Sequence, residues 1–109
     1  MDTTLKLPEP MAAYFASQHN PAALAHCFMP QAVMKDDGHT YTGIHAIQDF
    51  MAEASAKYSA TTVPFALARE DGFEVVRAKV TGNFPGSPID LSYHFRLERG
   101  LIASLEITA

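Results

Sequence analysis

At 109 residues the chain has room for one hydrophobic core and no second domain, so residues 1–109 are read as a single unit. Its formal charge of −4, with no cluster of Lys or Arg, disfavours nucleic acid and anionic membrane surfaces as partners. One cysteine, Cys27, excludes an internal disulfide and suits a reducing compartment. Met1 to Pro10 carries no apolar leader core and no run approaches membrane-spanning length, which predicts a cytoplasmic protein. Charged residues at 18% are few for a free-standing surface, so part of it is expected to be covered by another subunit.

In chain order, Pro8 and Pro10 suit a first helical turn, where a missing N–H costs nothing, and Met11, Tyr14 and Phe15 form an apolar stripe ending near His19. Asn20-Pro21 is an N-cap followed by a proline at the first helical position. It opens a second short helix, Ala22 to Phe28, with Leu24, Cys27 and Phe28 inward and Pro30 as its stop. Gln31 to Asp36 reads as a strand with Ala32, Met34 and Asp36 on one face. After a short extended piece, His39 to Thr42, Ile44, Ile47, Phe50, Met51 and Ala54 recur at helical spacing up to about Lys57.

The remainder reads as β. Thr61 to Arg69, carrying Pro64, is an edge-tolerant strand, and Asp71-Gly72 turns it into Phe73 to Gly82. Asn83 to Pro88 is a loop of structure breakers. Ile89, Leu91, Tyr93, Phe95 and Leu97 then alternate strictly with polar neighbours, the cleanest period-two signal in the chain. Arg99-Gly100 turns into a last strand expected to face Leu101, Ala103, Leu105 and Ile107 inward. Helices on one face of a curved, mostly antiparallel sheet give an α+β fold.

The stretch Lys35 to Phe50 joins a strand end, the carboxylates Asp36 and Asp37, a glycine turn and a helix start. An Asp at the inward end of a strand sits at the rim of an apolar interior, where its pKa is raised toward that of a general base. The plain alternative is that Asp36 and Asp37 cap a hairpin.

Three motifs, in this order and spacing, carry a resemblance over nearly the whole chain. They are Ala25-His-Cys-Phe-Met-Pro-Gln-Ala-Val-Met-Lys-Asp36, Tyr41-Thr-Gly-Ile-His-Ala-Ile-Gln-Asp-Phe50 and Tyr93-His-Phe-Arg-Leu-Glu-Arg-Gly-Leu-Ile102. Together they resemble the nuclear-transport-factor-2-like superfamily, in its SnoaL-like and ketosteroid-isomerase-like branch. The resemblance implies a conical fold of three helices on a curved sheet, an enclosed pocket for a small hydrophobic ligand, no cofactor and commonly a homodimer. Ketosteroid isomerases keep a base Asp at the end of the first strand. Their oxyanion is held by a Tyr near the first helix and a protonated Asp in the penultimate strand. Those roles fall here on Asp36, Tyr14 and Tyr93, the last a phenol where SnoaL-type cyclases carry an acid/base Asp.

The expected activity is therefore that of an isomerase or cyclase working by proton abstraction. The competing expectation is a ligand-binding or dimerising module with no turnover. Phe28, Met34, His39, Tyr41, Phe50, Tyr58 and Phe84 are expected pocket walls. No pair among His19, His26, His39, His45 and His94 has ligand-pair spacing, so no metal site is expected. His39 and His45 are retained as rim groups, His94 as an outer-face residue, and Cys27 as inert core.

Overall fold

The computed structural model describes residues 5–109; residues 1–4, part of the N-terminal stretch read for a leader, lie outside it. Among the described residues three helices and six strands follow one another as α1 (Glu9–Ala16), α2 (Pro21–Leu24), β1 (Phe28–Asp36), β2 (His39–Thr42), α3 (Ile44–Lys57), β3 (Ala60–Glu70), β4 (Phe73–Gly82), β5 (Ile89–Glu98) and β6 (Leu101–Thr108). The strands form one sheet ordered β2-β1-β6-β5-β4-β3. Every neighbouring pair is antiparallel except β1 with β6.

Three strand pairs are closed by two-residue turns of one kind. Asp37-Gly38, Asp71-Gly72 and Arg99-Gly100 all hold positive φ at both positions, 52° on the first residue and 77–83° on the glycine. That backbone matches the right-handed twist of the strands it joins, which is why glycine stands second each time. α3 starts on Gly43, whose φ of 90° turns the chain out of β2 while its N–H donates to the Ala32 carbonyl at 2.8 Å.

Two boundaries depart from the sequence reading. α2 spans only Pro21–Leu24, and Phe28 opens β1 instead of closing a helix. Asn20 caps as expected, its Oδ1 accepting from Ala23 N–H at 3.2 Å. Pro30 does not stop a helix but sits exposed within β1. The β1–β6 register slips between Phe28 and Val33, and β2 pairs only from Val33 onward, so no ladder requires the missing N–H. The last strand also carries a bulge: Arg96 pairs with Ser104 but Leu97 with Ile102, leaving Ala103 unpaired. The inward set therefore changes phase, burying Ile102 where Leu101 and Ala103 were expected.

The core lies between the helices and the inner sheet face. Met11 and Leu24 from the helices meet Met34, Val76, Phe95, Ile102 and Leu105 from the strands, all essentially without solvent exposure. Ile47 and Met51 bring α3 onto the same cluster, and Cys27 is buried within it. Tyr14 is the aromatic hub of this layer, edge-on to Phe95 at 5.6 Å, to Phe28 at 6.0 Å and to Phe15 at 5.1 Å between ring centroids. No helix among the described residues is long and apolar enough to cross a membrane.

Candidate active site

Along three adjacent strands the inner face leaves the packed core in steps of two residues. Met34 precedes Asp36 on β1, Leu105 precedes Ile107 on β6, and Phe95 is followed backward by Tyr93 and Leu91 on β5. The register places Asp36 beside Ile107 and Ile107 beside Tyr93, so the carboxylate and the phenol stand one strand apart on the same face. Tyr14 reaches this row from α1, its ring 6.2 Å from that of Tyr93.

Beyond the row, the facing elements supply small side chains, and a cavity of about 200 Å³ remains. Asp36, Tyr14, Tyr93, Gln18 and Thr62 are among its polar walls; Phe50, Met51, Val80, Leu91 and Ile107 are among its apolar ones. Ala54, Ser55 and Ala60 occupy positions on α3 and β3 that larger residues would fill. A second, wider cleft of about 870 Å³ opens outward from it. Residues 35–40 around the β1–β2 turn, Phe84 and Pro85 after β4, and the end of β6 line this cleft. Asp36, Tyr58, Phe84, Leu91 and Ile107 belong to both walls, so the spaces adjoin.

Hydrogen bonds fix the mouth. The Ser59 N–H donates to Asn83 Oδ1 at 2.8 Å while Asn83 N–H returns a bond to the Ser59 carbonyl at 3.2 Å. That close approach requires Gly82, since a Cβ there would overlap the Ser59 carbonyl. His19 ties the far wall: its Nε2 donates to the Ala60 carbonyl at 3.1 Å, and its Nδ1 lies 3.2 Å from Ser55 Oγ. Ser55 Oγ donates to the Gln18 carbonyl at 3.2 Å, so the segment after α1, α3 and β3 meet at one point.

The electrostatics follow from burial. Burial raises the Asp36 carboxyl above its ordinary value; the neighbouring Asp37 raises it further and His39 opposes. Burial pushes the Tyr93 phenol up to about 12, with Asp36 adding to the shift and Thr62 and Gln18 opposing it. Tyr14 is raised well above the ordinary phenol range, first by burial and then by Tyr93, with Gln18 opposing and Asp36 and Cys27 adding. Both phenols are thus neutral hydrogen-bond donors at physiological pH, beside a carboxyl that holds its proton more strongly than usual.

Of the residues singled out from sequence, Asp36, Tyr14 and Tyr93 line the inner cavity together with Phe50, Tyr58 and Phe84. His39 lies on the outer cleft alone. Phe28 and Met34 are buried in the packed core and line neither space. Tyr41 also lines neither; it stacks on Phe50 at 4.3 Å and so backs a cavity wall from behind. His45 is exposed on α3 and lies on neither wall. Sequence reasoning passed over Gln18, His19, Ser55, Ala60 and Thr62, which meet only through the tertiary fold. The sole signal for them was small or polar residues where the helical and strand periods called for large apolar ones. Among the described residues no group of three His, Cys, Asp or Glu side chains could hold a metal ion.

A family model for the SnoaL-like domain matches residues 11–105. A crystal structure of a Sinorhizobium meliloti protein provisionally named a polyketide cyclase is 36% identical, covering 94% of this chain and 95% of its own at a TM-score of 0.88. A Catenulispora acidiphila protein with a ketosteroid-isomerase-like fold, solved with trimethylamine, is 22% identical with a TM-score of 0.82, covering 95% of this chain and 87% of its own. A SnoaL-like protein from Jannaschia, also provisionally named a polyketide cyclase, is 18% identical with a TM-score of 0.75, covering 92% and 82%. The last two likenesses establish the conical fold alone. The comparison with curated proteins gave no match.

Proposed function

The chain belongs to the SnoaL-like family, and we propose that it is a cofactor-free isomerase or cyclase-like enzyme acting on a small hydrophobic carbonyl compound. The observation that carries this reading is the meeting of Asp36, Tyr14 and Tyr93 on one small, largely apolar cavity. Ionised Asp36 takes a proton from the carbon next to the carbonyl, and the electrons of that C–H bond move into the carbonyl, leaving charge on its oxygen. Tyr93 and Tyr14 donate hydrogen bonds to that oxygen, at positions fixed before the charge forms. The proton then returns at a second carbon to give the isomer, or the enolate carbon bonds to an internal carbonyl to close a ring, that carbonyl's π electrons passing to its oxygen, which takes the proton from Asp36. A carboxyl with a raised pKa is a stronger base once ionised, which is what the first step needs. The enzyme acts as a homodimer, and Val63 and Phe65 on β3, about half exposed at 57% and 50%, are surface that such a contact would cover.

The test is hydrogen exchange from a β,γ-unsaturated cyclic ketone in D2O, followed by NMR, with isomerisation read from the ultraviolet absorption of the conjugated product. Wild type is expected to catalyse both, and Asp36→Asn to lower the rate about 10²–10⁴-fold, the usual contribution of one general base. Binding without exchange would instead identify a ligand-binding module.

A further inference from the structure

The two adjoining spaces differ in a way that specifies the substrate. The inner one, about 200 Å³, is below the roughly 300–1,000 Å³ that ligand sites of drug-sized molecules occupy. It accommodates a single ring or a short branched chain. The outer cleft, about 870 Å³, is large enough for a whole small molecule, and both spaces are open to solvent. Between them stand Tyr58 and Phe84, edge to face with centroids 6.2 Å apart, and Asp36 is on the wall common to both. A ligand confined to the inner space leaves the cleft idle, and one confined to the cleft never meets Tyr14, which lines the inner space only.

The cleft also has a sign. Lys35 and Glu106 stand opposite each other on paired strands and both line the cleft. Neither they nor Asp36 and Asp37 take part in the ion pairs formed among the described residues, Arg69–Glu74 and Lys79–Asp90, so the cleft wall carries three carboxylates against one lysine. The uncompensated charge at the junction and just outside it is negative, which repels an anionic group and tolerates a neutral or cationic one.

We propose that the substrate binds in two parts: one ring bearing the enolisable carbonyl enters the inner cavity, and a neutral or cationic appendage lies in the outer cleft, with anionic appendages rejected. This rests on the proton-abstraction reading for its chemistry but not for its geometry. The reacting carbon sits at the junction, where Asp36 can reach it, while the carbonyl oxygen points inward to the phenols. Fused multi-ring ketones are too large for the inner space and stop at the Tyr58–Phe84 collar.

The probes are 3-cyclohexenones carrying a hydroxyethyl, a trimethylammonioethyl or a carboxyethyl group, together with a fused two-ring β,γ-enone. Each is followed by product absorbance and by chemical-shift changes at methyl groups of Met51 and Val80 inside, and Thr40 outside. The hydroxyl and ammonium probes are expected to shift both sets of signals and turn over. The carboxylate probe should show a kcat/KM at least about tenfold lower, a penalty of about 1.4 kcal/mol, and Asp37→Asn should narrow that gap. The fused enone should shift only Thr40. Equal handling of all three appendages, or inner shifts with the fused enone, would overturn the two-part reading while leaving proton abstraction intact. Inner and outer shifts in the expected pattern with no turnover would uphold the two-part site and count against the base role of Asp36 instead.

Discussion

The inner face of the sheet contains two neighbouring regions built from the same strands and filled differently. Toward one end, Met34, Phe95, Ile102 and Leu105 are closed off by Met11 and Leu24 and have no exposure above 1%. Two residues further along β1, β6 and β5, Asp36, Ile107 and Tyr93 face Ala54, Ser55, Ala60 and Thr62, and a void remains. The backbone does not change character between the regions; the volume of the facing side chains does. In this chain a site is made by leaving volume out of a core, and the polar groups placed at its edge owe their altered proton affinities to burial against that same core.

The largest test of the contrast is truncation on the filled side. Phe95→Ala should cost about 3–5 kcal/mol, since it opens a hole among fully buried neighbours. Leu91→Ala, at a half-buried cavity wall where space already exists, should cost about 1–2 kcal/mol. Urea titration of both variants measures the difference; equal losses would erase the distinction between the regions. Next in size, Tyr93→Phe should lower exchange activity about 10²–10³-fold, as loss of one oxyanion donor does. Its melting temperature should change little, because the ring remains stacked beside Phe95 at 6.4 Å and only the hydroxyl leaves. Gly82→Ala tests the mouth: its Cβ must displace Ser59 and Ala60, and since Ala60 lines the inner cavity, probe binding should weaken while Met34 and Phe95 keep their native NMR signals.

The smallest effect is electrostatic. The folded state raises the Asp36 carboxyl above its unfolded value, so folding favours its protonated form. Any stability from that preference is full below the unfolded pKa and is lost as pH rises through the folded one. Activity runs the opposite way, rising with pH over the same window as the base ionises. Asp36→Asn should therefore flatten the stability profile across that window and make the protein slightly more stable than wild type at neutral pH. Denaturant midpoints at several pH values check this.

Legibility from sequence divides along the same line as the two regions. The filled region was readable because burial imposes period: Phe95 follows from strict alternation, Met34 from the preceding strand, and the three turns from glycine chemistry. Irregular backbone was not. Nothing in Leu101 to Ile107 marks the bulge that buries Ile102, and Pro30 reads locally as a helix stop although its strand tolerates it. Asp36, Tyr14 and Tyr93 could be named singly, from strand position and family resemblance, but the cavity that joins them could not. Gln18, His19, Ser55, Ala60 and Thr62 come from separate elements, and only their meeting gives them a role.

If Asp36 and Tyr93 line one space, each must feel the other, and NMR titration of the Asp36 carboxyl carbon in wild type and in Tyr93→Phe reads this. The expected result is a pKa above the ordinary carboxylate value in wild type, moving further when the phenol, whose own pKa Asp36 raises, is replaced by an apolar ring. An ordinary value that does not respond to the substitution would contradict it and return Asp36 to the chemistry of a turn.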